Sequence, residues 1–234
     1  MRARSKRYRA LIESAGIDIK QAQPVNSAVG VVKKLAKAKF SESVDLSVHL
    51  NIDAKKADQA FRGSFSMPHG TGRDVRVIVF CDDGEKSQAA TAAGAIKAGG
   101  EDVVNEVLAG FIDFDVAIAT PKMMRHVGKL GKVLGPRGLM PSPKAGSVTD
   151  DVAKAVNEFK SGKIEYRADA AGNVHVRVGT AKFEEVQLLD NINAFLSHVV
   201  EHRPSSVKGE FVKNVTLSST MGPGVKIAFS AKGV

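Results

Sequence analysis

His198, Glu201 and His202 have the spacing in this chain that comes nearest to catalytic chemistry. His198-Val199-Val200-Glu201-His202 reads H-x-x-E-H, the inverted zinc-protease signature. Histidines at i and i+4 share one helix face and can bind one Zn²⁺, with the glutamate between them as general base. The motif is short, ends its helix at Arg203-Pro204, and has no accompanying third-ligand motif. Imidazoles in a last helical turn also complement the negative end of the helix dipole, which requires no metal. A second run, Gly128-Lys129-Leu130-Gly131-Lys132-Val133-Leu134-Gly135-Pro136-Arg137-Gly138, looks like a phosphate cradle. It contains no G-x-x-x-x-G-K-[ST], and no G-x-G-x-x-G follows a strand. A loop that touches RNA phosphate or another macromolecule accounts for it better than a nucleotide site. Cys81 stands beside Asp82 and Asp83, whose charge raises a thiol's pKa, so it reads as structural. A single cysteine leaves no intramolecular disulfide and no all-cysteine metal site, and suits a reducing, cytosolic compartment. No cofactor is expected.

The remaining chemistry is that of nucleic-acid binding. With no Trp and two Tyr, the chain has no aromatic cluster for stacking bases on a sheet. Charge, small polar groups and bare backbone remain, and these suit folded RNA read through phosphates, 2′-hydroxyls and shape. Three places qualify. In Lys37-Ala38-Lys39-Phe40 a helix would deliver cations beside an aromatic that packs on a ribose or base; the plain alternative is a core Phe40 with solvated lysines. Glu165 and Arg167, then His175 and Arg177, form the polar side of a predicted hairpin, though a half-buried sheet must expose something there. Leu217-Ser218-Ser219-Thr220-Met221-Gly222-Pro223-Gly224 leaves hydroxyls and backbone amides open to close RNA approach, more than a plain turn needs.

The elements that must hold these residues follow from periodicity. Asn26 or Ser27 caps a predicted helix to about Lys39, and strict alternation from Val44 to Ile52 marks a half-buried strand. Val75–Phe80 and Phe114–Thr120 are nearly continuous apolar strands. They alternate with helix-like stretches over Lys86–Ala98, Val103–Leu108 and Lys122–Leu134, which predicts a small parallel sheet flanked by helices. Ile164, Tyr166 and Ala168, then Val174, Val176 and Val178, predict a β-hairpin closed through Asp169–Asn173. Glu184–His202 is an amphipathic helix with Val186, Leu189, Ile192, Phe195, Leu196 and Val199 inward, ended by Pro204. Strands at Val212–Leu217 and Val225–Phe229 close the pattern.

Charge divides the chain the same way. Pro68–Phe159 holds 11 Lys+Arg against 12 Asp+Glu, and the two flanks hold 23 against 13, so the net charge of +9 belongs to the ends. A segregated basic surface is the footprint of a polyanion partner, although solubility charge needs none. Neither flank alone has enough strands for a stable sheet. The economical reading is an α/β chain of two domains. Residues 1–67 and 160–234 form a discontinuous two-layer α+β basic domain, and 68–159 form an inserted three-layer, Rossmann-like domain. Three serial units are the alternative, each marginally small. Glycines near Gly63–Met67 and Phe159–Gly162 would act as hinges. The amino-terminal run Arg2, Arg4, Lys6, Arg7, Arg9 has no apolar stretch after it and reads as a basic tail, not a secretory signal. No apolar run is long enough to span a membrane, and no aromatic face anchors the tail to one.

Several of these places together resemble the bacterial ribosomal protein L-one family, the stalk protein of the large subunit. The resemblance rests on Asp58-Gln59 with Arg62-Gly63, Lys39-Phe40, Pro68-His69-Gly70-Thr71-Gly72, Phe114-Asp115, Gly135–Pro141 and Thr220-Met221-Gly222, in order over nearly the whole chain. It implies a two-domain protein, not an enzyme, whose first domain is built from both chain ends. That domain would bind a helical junction of large-subunit ribosomal RNA and a mimic of it on the protein's own messenger RNA. The stalk would move with transfer RNA leaving the exit site, the inserted domain would add a smaller RNA contact, and the protein would be a cytoplasmic monomer off the ribosome. Carried over by position, the family's RNA contacts fall on Lys39, Phe40, Arg167, His175, Ser218, Thr220, Met221 and Gly222. Lys37 and Arg177 join them here as phosphate contacts. The rival readings are a zinc hydrolase using His198 and His202, a nucleotide-binding enzyme, and a general basic RNA chaperone.

Overall fold

The structure is a computed structural model that describes residues 5–16, 18, 21–53 and 55–229. Arg2 and Arg4 of the basic amino-terminal run lie outside the described residues. Two helices, α1 (Lys6–Ala15) and α2 (Val25–Leu35), lead into β1 (Ser43–Leu50) and β2 (Arg62–Ser66). Then come β3 (Val77–Phe80), α3 (Gly84–Ala92), β4 (Lys97–Gly99), α4 (Glu101–Leu108) and β5 (Val116–Ala119). Two short helices, α5 (Met124–Val127) and α6 (Gly131–Leu134), precede α7 (Val152–Lys160). The last elements are β6 (Lys163–Arg167), β7 (Asn173–Thr180), α8 (Glu185–Glu201), β8 (Val212–Ser219) and β9 (Val225–Ile227). Among the described residues no helix is long and apolar enough to cross a membrane.

The chain folds into two compact units, Met1–Gly72 with Tyr166–Val234, and Arg73–Glu165. The divisions fall after Gly72 and Glu165, later than the crossings expected after Met67 and Phe159. Packing is the reason. Thr71 is buried, a Cβ on Gly72 would meet the Phe183 ring at 2.6 Å, and the His69 N–H donates to Asn191 of α8. Pro68–Gly72 is thereby bound into the first unit.

The first unit is built on an antiparallel sheet of order β7-β1-β8-β9. The alternation of β1 buries Val44, Leu46, Val48 and Leu50, and its register sets Leu46 between Val176 and Leu217. That face is covered by α2, through Ala28, Val29, Val32 and Leu35, and by α8, through Leu188, Ile192, Phe195, Leu196 and Val199. Each fully buried aliphatic side chain contributes about 1.5–3 kcal/mol, and the stacked rows make a two-layer core. The opposite face of the sheet is polar.

Five sequence expectations are corrected in this unit. Lys6–Ala15 is a helix capped by the Ser5 hydroxyl, not a tail. α2 begins after Pro24, whose ring presets the entering φ, and ends at Leu35, so Lys37 and Lys39 stand beyond it. On α8, Val186 is 63% exposed and Leu188 and Asn191 are buried with the apolar stripe. Gly63, expected in a hinge, lies within β2 under Tyr166, where a Cβ would meet the phenol oxygen at 2.7 Å. The predicted hairpin does not form: β6 pairs with β2, and β7 pairs with β1. Tyr166 is buried beside Phe61 and Phe195, at ring separations of 5.3 and 5.6 Å, and this draws β6 away from the strand that follows it.

The second unit has a parallel sheet of order β4-β3-β5. All four residues of β3 are buried because helices cover both faces. Val77, Val79 and Ile118 pack with Val152, Val156 and Phe159 of α7, while Ile78, Phe80 and Ala117 pack with Val103, Val107, Leu130 and Leu134. The alanine-rich stretch expected to be one helix stops at Ala92. Gly94, at φ +95°, turns the chain, and Lys97–Gly99 becomes a strand. The expected Lys122–Leu134 helix is interrupted by a 3₁₀ turn at Gly128–Leu130. Helix α7, absent from the sequence reading, is amphipathic and capped by Asp151, which accepts from the Lys154 N–H.

Candidate nucleic-acid interface

The polar face of the first unit's sheet is a grid of cross-strand pairs. Asn173 and Asn214 flank His49; His175 and Thr216 flank Ser47; Arg177 and Ser218 flank Asp45. The rows are hydrogen-bonded: His49 Nδ1 lies 2.7 Å from Asn173 Oδ1, and Ser47 Oγ lies 2.9 Å from His175 Nδ1. Arg177 Nε is 4.0 Å from Asp45 Oδ1, and Asp45 Oδ2 accepts from Ser43 Oγ at 2.9 Å. His175, Arg177 and Ser218 thus share one surface, as the alternation of their strands required.

Beyond the upper end of β1 and β8 two loops meet over a single carboxylate. After α2 the chain turns tightly, with Lys37 N–H donating to the Leu35 carbonyl. The next amide, Ala38 N–H, donates to Glu42 Oε1 at 2.8 Å. Glu42 Oε2 accepts from Ser219 Oγ at 2.8 Å and from Met221 N–H at 3.0 Å. Glu42 is 2% exposed. Burial pushes its carboxyl up, but the Met221, Ala38 and Ser219 bonds and the Arg7 charge outweigh this and hold it below the usual glutamate value. Thr220 adds a second tie: its N–H donates to the Ser43 carbonyl, and its Oγ1 accepts from Ser43 N–H at 2.9 Å. Arg7 of α1 closes the turn from outside, donating to the Met221 carbonyl at 2.7 Å.

This framework leaves Lys37, Lys39 and Thr220 exposed, with Phe40 54% and Met221 44% exposed. Two large apolar side chains and two ammonium groups stand on loops fixed to one carboxylate. Gly222 is part of the fit, because a Cβ there would lie 2.5 Å from Ser219 Oγ. Arg167 is not brought into the group. It is exposed on β6, in the two-stranded pair with β2, and so is separated from the His175 face it was expected to share. Glu42, Ser43, Asp45 and Arg7 were missed. An acid at the foot of a strict apolar alternation, inside a basic flank, was the available signal for Glu42.

The sequence motifs with catalytic spacing are occupied otherwise. His198 Nε2 lies 2.9 Å from Tyr166 Oη, and its ring sits among Phe65, Tyr166 and Phe195. Burial, with His202 adding to it and Glu201 opposing, holds its pKa below the usual imidazole value. Among the described residues no group of three or more His, Cys, Asp or Glu stands where it could hold a metal ion. Burial first, then Asp82 and Asp83, push the Cys81 thiol up.

Comparison with known proteins agrees with this architecture. A model of the Ribosomal protein L1p/L10e family matches residues 32–223. The chain is 51% identical over 224 residues to the large ribosomal subunit protein uL1 of Thermosipho melanesiensis, covering 95% of each. It is 50% identical to that of Thermosipho africanus, again covering 95% of each. For Fervidobacterium nodosum the identity is 49%, over 95% of this chain and 94% of the relative. These relatives are named as ribosomal proteins, not enzymes. On a family match over most of its length and relatives half identical from end to end, the chain belongs to the Ribosomal protein L1p/L10e family.

Proposed function

We propose that the first unit binds folded ribosomal RNA of the large subunit's mobile stalk, through the loops that meet at Glu42 and the polar sheet face below them. The carrying observation is the Glu42 carboxylate, which fixes Ala38 and Met221 together and so presents Phe40, Met221, Lys37 and Lys39 as one rigid patch. Rigid placement removes the ordering cost of two loops on binding. The lysines dock phosphates, Phe40 and Met221 pack on sugar or base, and Thr220 and the Gly222 backbone approach the minor groove. Ser218, His175 and Arg177 extend the surface along the sheet, and Arg167 contacts RNA from the β2–β6 pair. In this reading the protein acts on cytoplasmic ribosomes. It assists release of exit-site transfer RNA and represses translation of its own messenger RNA through the same surface. Off the ribosome it is a monomer.

Binding of the full chain to folded stalk RNA and to a scrambled control, across a salt series, tests this. Phe40→Ala and Met221→Ala should each lower affinity for the stalk RNA about tenfold, on the scale of one lost packing contact to a base, and narrow the preference over the control. Equal preference in wild type and both variants would sink the assignment of this patch. Thr220→Val keeps shape but removes the acceptor for Ser43 N–H and the hydroxyl offered to RNA. It should weaken stalk-RNA binding by about 1–3 kcal/mol at fixed salt. Unchanged binding would take Thr220 out of the site.

A further inference from the structure

His198 is the point at which three elements of the first unit meet. From α8 its Nε2 reaches Tyr166 Oη of β6 at 2.9 Å, and its ring stands 4.8 Å from that of Phe65 on β2. Tyr166 is 3% exposed, and its phenol oxygen lies over β2 at Gly63. A phenol O–H enclosed in this way needs an acceptor. Among the described residues His198 is the hydrogen-bond partner of that hydroxyl. The bond assigns the tautomer: neutral His198 carries its proton on Nδ1 and accepts at Nε2, because the other tautomer leaves the phenol proton without an acceptor. Both strands of the β2–β6 pair are thereby tied to α8. The division between the two units falls inside β6, between Glu165 and Tyr166. Tyr166 is the residue with which the chain re-enters the first unit.

Protonation reverses this arrangement. An imidazolium donates at both nitrogens and accepts nothing. Its Nε2–H then points at Tyr166 Oη, and the phenol proton must turn toward a space closed by β2. The surroundings also disfavour the charge. Arg62 of β2 and Lys163, Glu165 and Arg167 of β6 alternate to the face opposite Gly63, Phe65 and Tyr166. The charges that act on the ring come from the end of its own helix. His202, with its ring centre 4.0 Å away, opposes protonation, and Glu201 acts less strongly the other way.

We propose that His198 is a proton-sensitive latch: neutral, it holds the β2–β6 pair against α8 through the Tyr166 hydroxyl, and protonated, it releases β6 at the residue where the chain returns from the inserted unit. The latch does not depend on what the first unit binds. Burial, then His202, hold the folded pKa below the usual imidazole value, with Glu201 opposing. Its contribution is therefore complete above the usual value and disappears as pH falls through the lower folded one. The ring contacts of Phe61 with Tyr166 and of Phe65 with Phe195 remain, so the strand pair loosens without unfolding.

Hydrogen exchange of the full chain from about pH 7.5 to about pH 5, with a chelator present so that no metal bridges His198 and His202, tests this. Glu42 titrates below the usual glutamate value and stays ionised over that range. Corrected for intrinsic rates and taken relative to β1, protection of Arg62–Ser66 and Lys163–Arg167 should fall with pH. The fall should be at most about tenfold per pH unit, the limit for one proton. His198→Gln keeps an acceptor for the phenol and cannot become an imidazolium, so its protection should stay level while the other five histidines titrate as before. His198→Leu removes the acceptor and should show at high pH the protection that wild type reaches only at low pH. In wild type, NMR resonances of the Tyr166 ring should follow the titration of the His198 ring. Level protection in wild type overturns the latch, as does an equal fall in wild type and His198→Gln. So do Tyr166 resonances that hold still while His198 titrates, a result that wild type gives even where a variant fails to fold.

Discussion

Replacing Glu42 by Gln, an exchange of one oxygen for one NH₂, should destabilise the first unit by about 2–4 kcal/mol and weaken stalk-RNA binding at least tenfold. The reason is donor arithmetic. Ala38 N–H bonds to one carboxylate oxygen and Met221 N–H to the other. An amide has one oxygen, so in either orientation its NH₂ meets a backbone N–H. The Ser219 hydroxyl can turn to accept, but the two amides cannot. One of the two loops must then move, and Phe40 and Met221 lose their common frame. Protonation of Glu42 does the same to wild type. Glu42 titrates below the usual glutamate value when folded, so it binds fewer protons folded than unfolded. Its contribution is complete above the usual value and disappears as pH falls through the lower folded one. Subtracting the pH profile of the Gln variant's stability from that of wild type isolates this loss. Equal stability and equal RNA affinity in the two proteins would show that Glu42 does not bridge the loops.

Asn191→Leu should cost about 3–5 kcal/mol, measured as a shift in the denaturant midpoint. Asn191 is fully buried on the core face of α8. Its oxygen accepts from His69 N–H at 3.0 Å, and its NH₂ donates to the Gly70 and Val178 carbonyls at 3.0 and 2.7 Å. Leucine keeps the branched outline, is somewhat larger, and leaves all three backbone groups without a partner. Asp190, the neighbouring residue, bonds the His69 ring at 2.9 Å from the exposed side. Asp190→Ala should therefore cost under about 1 kcal/mol, as exposed pairs do. Similar losses in the two variants would mean that Asn191 is not the peg holding Pro68–Gly72 to the first unit.

How much of this was legible in the residues depends on the range of the forces involved. The strict alternation over Val44–Leu50, the buried run Val77–Phe80 and the apolar stripe of Glu185–Glu201 are local patterns, and each became the expected element. Boundaries inside alanine- and glycine-rich stretches were less legible. The Ala90 region favours helix throughout and has no apolar periodicity to mark its end, so it is Gly94, with its left-handed backbone, that ends the helix. On the surface proposed to bind RNA, Phe40, Met221 and Thr220 stood out by type and motif, Lys37 by its place in a cationic run beside Phe40, and His175 and Arg177 by their place on a polar strand face.

Tertiary structure decided the rest. The chain from Ile164 to Val178 has the alternation of a hairpin, but alternation does not name a strand's partner. The buried ring of Tyr166 and the apolar face of β1 drew its two halves into different sheets, and so parted Arg167 from His175. Glu42 looks like one more acid in a basic flank. Its role depends on Ser219 and Met221, 177 and 179 residues away, whose donors converge on it only after β8 has paired with β1. Sequence determined which segments would be strands, helices and cationic surface, because those follow from side-chain period and type. Folding alone decided which loops share a carboxylate, because a hydrogen bond is set by distances of about 3 Å that no spacing along the chain encodes.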